Sequence, residues 1–158
     1  MANKKPGLRI THKDLAAPTN KAKAFNDPGW VWELKHDGYR ALLIKEAGRV
    51  SLLTRRGNEL IQFFPEIAAD LRQLPDMAID GELVMLDAEG KPEFHRLRGR
   101  CAIRDPQRLA DAAVSTPAAV FAFDLLQLRG KDLRALPLLK RKAVLQKELG
   151  KTARIVYC

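Results

Sequence analysis

Between residues 30 and 54 a stretch of period two and two apolar runs are separated by tight-turn dipeptides, a pattern that predicts an antiparallel meander. Trp30, Trp32 and Leu34 alternate with Val31, Glu33 and Lys35. The alternation predicts a strand over 30–36 with Glu33 and Lys35 on one face. Asp37-Gly38 is a turn signal, residues 39–45 read as a returning strand, and Ala47-Gly48 turns the chain into a third strand over 49–54. The three segments make an antiparallel meander.

Helices are expected to flank this sheet. Phe64, Ile67, Leu71 and Leu74 recur at helical spacing around Pro65, a residue suited to a first turn, so an amphipathic helix is expected over 64–74, ended by Pro75. Residues 77–86 form an apolar strand whose centre carries Asp80 and Glu82, two acids where packing alone would place none. The Arg- and Ala-rich stretch 96–117 is read as helical in pieces. A buried strand is expected over 120–128, a helix over 137–149 closed by Gly150, and the start of one more strand over 154–157. The fold class is therefore α+β, mainly antiparallel. Residues 1–29 mix Lys, Asn, Pro and Ala without a period and are read as an N-terminal arm, of which 15–18 lies against the body; residues 30–158 form the domain.

With 28 Lys and Arg against 19 Asp and Glu, the chain carries a formal charge of +9, which favours an anionic partner such as nucleic acid or nucleotide. Cys101 and Cys158 belong to no CxxC pair, and His12, His36 and His95 have no metal-ligand spacing, so neither a disulfide framework nor a zinc site is indicated. The N-terminus lacks the apolar core of a signal peptide and no apolar run approaches a membrane span. A cytoplasmic protein with no membrane partner is expected. No Walker or Rossmann glycine loop and no G-x-S-x-G elbow is present.

The chemistry concentrates in Glu33-Leu34-Lys35-His36-Asp37-Gly38-Tyr39-Arg40, which contains K-x-D-G-x-R. Read plainly, this is a Lys-Asp pair on a hairpin. A lysine amine at a turn can also act as a nucleophile and form a covalent intermediate. A free lysine, with a pKa of about 10.4, is mostly protonated near neutral pH. Partial burial and cations such as Arg40 or Arg55 lower that value, whereas Glu33 and Asp37 raise it.

The segment resembles the nucleotide-attachment motif of the covalent nucleotidyltransferases, namely DNA ligases, RNA ligases and mRNA capping enzymes. Three further segments follow in the order of the DNA ligase branch. Leu52-Leu53-Thr54-Arg55-Arg56-Gly57 is similar to a motif whose arginine lies near AMP and the DNA 5′-phosphate, with Arg55 at the matching position; Arg56 reads as a solvated charge. Ile79-Asp80-Gly81-Glu82-Leu83-Val84 resembles the motif whose glutamate contacts the ribose and lies close to the metal, which points to Glu82. A carboxylate suits both tasks. Val120-Phe121-Ala122-Phe123-Asp124 resembles the segment whose aromatic stacks on adenine, here Phe123, although most such Phe residues are core. The run from Leu128 through Arg141-Lys142 favours DNA ligases over capping enzymes. The early position of the attachment motif is most similar to bacterial ligases of the end-joining type.

The resemblance covers roughly residues 30–145 and implies the N-terminal part of a ligase adenylation domain of the DNA ligase/mRNA capping enzyme nucleotidyltransferase fold. Lys35 is then the catalytic nucleophile. Glu33, Leu34, Lys35, Arg40, Arg55, Glu82 and Phe123 form the ATP/AMP site, Glu33 recognising the adenine amino group and Arg40 the ribose side. Arg55 reaches DNA and Glu82 a metal. The cofactors implied are ATP and Mg²⁺ or Mn²⁺, the partner is nicked or broken duplex DNA, and the location is the bacterial cytoplasm at the nucleoid. The family pattern continues with a glutamate-glycine motif and two lysines that neutralise the α-phosphate, which this sequence lacks; after Asp124 its only glutamate is Glu148. Cations lost from a phosphoryl-transfer site cost roughly a hundredfold in rate or more. The isolated chain is thus expected to be weak or inactive, and its open sheet to recruit a second copy or a missing C-terminal half. Two alternatives remain: a non-catalytic remnant that binds DNA or a partner, and an RNA ligase.

Overall fold

The computed structural model describes residues 10–16, 23, 26–150 and 152–158. Strands β1 (Tyr39–Glu46), β2 (Arg49–Thr54), β3 (Met77–Met85), β4 (Ala118–Leu128), β5 (Lys131–Asp132) and β6 (Ile155–Tyr157) share one sheet. Its order is β2-β1-β3-β4-β5, with β6 also pairing β4. Every pair is antiparallel except β4–β6, which is parallel. Helices α1 (Pro65–Gln73), α2 (Phe94–Ala102), α3 (Pro106–Ser115) and α4 (Leu138–Leu149) flank it. The α+β class and the largely antiparallel sheet agree with the sequence reading, and the Arg- and Ala-rich stretch resolves into α2 and α3.

Residues 30–36 do not form the expected strand. The segment has no ladder partner, and Trp30, Trp32 and Leu34 are 54%, 63% and 78% exposed. Period two marks a strand only when one face is buried and a sheet edge supplies a ladder, whereas residues 30–35 are exposed and belong to no described strand. The meander therefore reduces to the β1–β2 hairpin, closed by Ala47 and Gly48, both with positive φ. Asp37-Gly38 is a bend that leads into β1 rather than a hairpin turn.

The strand period divides the sheet into two unlike faces. Leu43, Met77, Ile79, Leu83, Ala122 and Leu125 belong to the main core, to which α1, α2 and α4 add Ile67, Leu71, Leu97 and Leu145. Each truncation of such a leucine to alanine costs about 3 kcal/mol. Arg100 is buried in α2 and binds Glu66 of α1 at 2.9 Å and the carbonyls of Ala112 and Thr116 at 2.7 Å each, so its charge is satisfied while it ties three helices. On the opposite face Leu42, Ala78 and Leu126 are covered by Ile10 and Leu15 from the N-terminal stretch. That stretch thus packs on the body at Leu15, as expected; Pro18 lies outside the described residues.

Candidate active site

Beyond the patch covered by Ile10 and Leu15, the same face turns polar. Arg40 lies opposite Glu82 in the β1–β3 ladder, and Asp80 lies opposite Asp124 in β3–β4. Residues 80 and 82 share a face because side chains alternate along a strand. Two acids facing each other repel unless each has its own cation. Arg40 supplies one with a forked contact to Asp80, Nε to Oδ1 at 2.6 Å and an Nη to Oδ2 at 2.7 Å. Arg141 of α4 supplies the other, Nε to Asp124 Oδ1 at 2.7 Å and an Nη to Oδ2 at 2.8 Å. Such bidentate pairs fix orientation as well as charge.

A bulge turns Phe123 into this region. Gly81 is opposite Ala122 and Asp80 is opposite Asp124, so Phe123 is the extra residue of β4 and is freed from the alternation that would otherwise aim it. Its ring meets the Arg40 guanidinium 4.6 Å from the ring centre. Two glycines allow the close approach of backbones here. A Cβ on Gly81 would stand 2.8 Å from the Phe121 carbonyl oxygen, and one on Gly38 would collide with the Leu83 carbonyl oxygen.

Residues 33–36 close the side of the hollow by other means. His36 stacks on Phe121 with ring centres 4.2 Å apart and brings Nε2 to 3.3 Å from Cys158 Sγ. Lys142 of α4 donates to Glu33 Oε1 at 2.6 Å. The result is a hollow of about 410 Å³ that brings Glu33, Leu34, Lys35, Arg40, Glu82 and Phe123 together, with Asp80, Asp124 and Arg141 also on its wall. Lys35 itself is exposed and lies on no strand, which corrects the partly buried strand position expected from the sequence.

Arg55 stands apart from this hollow. It lines a neighbouring cavity of about 660 Å³ with Arg56 and Tyr39, and the two cavities share Arg40 and Glu82. Burial pushes the Asp80 carboxyl up against the pull of Arg40. Glu82 is also pushed up by burial, with Arg40, the Gly38 amide and Lys35 pulling the other way. For Arg40, burial works against the cation but its hydrogen bonds to Asp80 win and hold the guanidinium above its usual value. Among the described residues no three His, Cys, Asp or Glu side chains converge as a metal cage.

Four participants carried no assigned role in the sequence reading. Asp80 had a signal, since an acid inside an apolar strand requires a partner. Lys142 had one too, because Leu138, Lys142, Leu145 and Leu149 follow a helical stripe in which a lysine interrupts leucines. Asp124 and Arg141 had none that separates them from ordinary surface charges.

Residues 13–157 match the family model described as ATP dependent DNA ligase domain. The chain is 40% identical over 125 residues to DNA ligase C2 of Mycolicibacterium smegmatis, covering 78% of this chain and 35% of that protein. The bifunctional non-homologous end joining protein LigD of Bacillus subtilis shares 34% identity over 125 residues, 74% of this chain and 20% of its own length. Among solved structures, the ligase domain of M. tuberculosis LigD matches with a TM-score of 0.62 at 29% identity, over 80% of this chain and 38% of that chain. A mycobacterial DNA ligase D complexed with ATP and MES matches at 0.59 and 30% identity, over 79% and 38%. The chain thus spans at most 38% of the length of these relatives. By this match and this fold, the chain belongs to the ATP-dependent DNA ligase domain family.

Proposed function

We propose that this chain is the nucleotide-side half of an ATP-dependent DNA ligase of the bacterial end-joining type, with Lys35 as the residue that carries AMP. The observation that carries the reading is the single hollow shared by Lys35, Glu82 and Phe123, residues far apart in sequence. We read 30–158 as the N-terminal part of the adenylation domain and 1–29 as an arm anchored through Ile10 and Leu15.

In the proposed reaction the Lys35 amine attacks the α-phosphorus of ATP. An N–P bond forms, the bond to pyrophosphate breaks, and the amine gives up a proton. A DNA 5′-phosphate oxygen then takes the adenylyl group and releases Lys35, and a 3′-hydroxyl finally displaces AMP to seal the strand. Glu33 accepts from the adenine amino group, Leu34 lines the site, Phe123 packs against the base and Arg40 faces the ribose side. Arg55, in the adjoining cavity, meets the 5′-phosphate of a nicked or broken duplex, and the basic balance of the chain suits that partner.

Glu82, whose carboxylate oxygens suit a hard cation, would be the residue to hold a magnesium or manganese ion. Such a cation would supply neutralisation of phosphate charge. Leu139 and Val156 are large apolar side chains on the surface, which suits pairing with a C-terminal half or a second copy. The chain alone is then weak or inactive in sealing. No described helix is long and apolar enough to cross a membrane, and a place in the bacterial cytoplasm at the nucleoid suits this substrate.

Incubation of the purified chain with α-labelled ATP and Mg²⁺ tests the reading. An acid-labile, alkali-stable label that disappears in Lys35→Ala is expected. Absence of label together with salt-sensitive DNA binding would instead mark a non-catalytic DNA-binding remnant, and nicks with DNA or RNA at the 3′ side separate a DNA ligase from an RNA ligase.

A further inference from the structure

Lys142 occupies a position that packing alone would give to leucine. It falls on the stripe of α4 that also contains Leu145 and Leu149, and it is 6% exposed. A buried ammonium is tolerated only when its hydrogens find acceptors. Lys142 has three to place, and three acceptors receive them: Glu33 Oε1 at 2.6 Å, the Cys158 carbonyl at 2.7 Å and the Phe123 carbonyl at 3.1 Å. The Tyr157 ring lies 5.2 Å away on a further side.

Two of those three acceptors belong to residues that the proposed function assigns to the base. Glu33 stands on a segment with no ladder to orient it, so the contact with Lys142 is what aims its carboxylate. The Phe123 carbonyl belongs to the bulged residue of β4, so the same ammonium also braces the backbone that presents the ring. We infer that Lys142 is a positioning residue for base selection: it holds Glu33 and the Phe123 backbone so that the hollow prefers a purine with an amino donor at the 6-position. The inference rests on the nucleotide reading above and adds to it the device that sets selectivity.

The chemistry follows from the acceptor-only nature of a carboxylate. An ionised Glu33 can receive a hydrogen from a 6-amino group but offers nothing to a 6-oxo group. Held in place, it leaves a 6-oxo purine with two oxygens facing each other, and this mismatch is the basis of discrimination. Without Lys142 the carboxylate swings to water, and both purines meet the same loose rim. Lys142 itself touches no ligand in this scheme.

Titration calorimetry of the full chain with ATP and with inosine triphosphate, both with Mg²⁺, provides the test. Wild type is expected to favour ATP roughly tenfold or more. Lys142→Met, with fold verified by circular dichroism, is expected to bring the two affinities within about threefold of each other, and adding it to Glu33→Gln should lower the ratio no further. Should Lys142→Met fail to fold, Lys142→Gln keeps amide donors for the Phe123 and Cys158 carbonyls while leaving Glu33 without its cation, and the same fall is expected. A folded variant that weakens both nucleotides equally, or leaves the ratio unchanged, overturns the inference and leaves the nucleotide reading standing. A wild type that binds neither nucleotide overturns the reading itself and the inference with it.

Discussion

Arg40, Asp80 and Glu82 stand on strands paired along both edges, whereas Glu33, Lys35 and His36 stand on a segment with no ladder at all, and the two groups meet across one hollow. The floor is held by backbone hydrogen bonds, a buried apolar layer and forked ion pairs. The rim has no ladder, and its ties include the His36–Phe121 stack, the His36–Cys158 contact and Lys142. Local stability should differ accordingly, because opening free energy follows burial and ladder bonds. In the proposed reaction, a nucleophile that attacks ATP, carries AMP and then releases it to DNA would gain from standing on the looser part, while the groups that receive charge would gain from standing on the rigid one.

The largest effect that sharpens this contrast is expected in the floor. Asp80 is 2% exposed and compensates Arg40 through both carboxylate oxygens. Asp80→Ala removes the forked partner of the guanidinium and leaves only the more distant acids Glu82 and Glu33 to offset it, and the loss of one partner of such a pair costs about 3 kcal/mol. Urea denaturation measures it. A loss below about 1 kcal/mol would mean that water takes over the work of Asp80 and that the floor is no more rigid than the rim.

Much of the floor was legible in the sequence, and the reason is physical. Strands β1, β2 and β3 write period two or apolar runs bounded by turn residues, and Pro65 marks the start of α1. Asp80 and Glu82 stand out because acids do not enter an apolar strand without a task. The rim was misread for the same reason that the floor was read well. Residues 30–36 carry the alternation of a strand, but pairing depends on a free edge elsewhere in the fold, which no local pattern reports. The bulge at Phe123 was hidden because the run from Ala118 to Phe123 is apolar throughout, so a slip of one residue leaves no mark in its hydropathy. The parallel partner β6 was read as a strand, while its direction depends on a return past α4.

A smaller effect is expected where the rim touches the sheet. His36 stacks on Phe121, and a ring pair of this kind contributes about 1 kcal/mol beyond its burial. His36→Ala should therefore lower global stability by no more than roughly that amount, yet raise amide exchange across 33–38 well above exchange in β3. Exchange that rises equally in both places would show that rim and floor open as one unit.

Weaker again is the pH response of Glu82. Its folded-state pKa is raised, with burial as the chief cause. The folded form then takes the proton first as the pH falls. The contribution of Glu82 to stability is fully present below the unfolded carboxylate value of about 4.3 and is lost as the pH rises through the folded value. Glu82→Gln should melt slightly higher than wild type at neutral pH, and the advantage should vanish near pH 4. Solvent reaching this half-buried group keeps the difference small. An advantage that grows toward acid would reverse the assigned cause.

The smallest expected effect tests the rim at an exposed side chain. Leu34 is 78% exposed, on a segment without a ladder, so replacing it removes little apolar area from contact. Leu34→Gln should change unfolding free energy by no more than about 0.5 kcal/mol, the range of surface substitutions. The same substitution at Leu42 or Leu43, both fully buried in β1, should cost several times more, because a polar amide enters the core as a cavity opens. Denaturant midpoints for Leu34→Gln and Leu43→Gln give the comparison on one scale. A loss above about 1 kcal/mol at Leu34 would require this side chain to be covered in solution, by a second copy if the loss depends on protein concentration. The same loss without concentration dependence would place Leu34 against its own chain and move the rim into the folded body that β1 and β3 define.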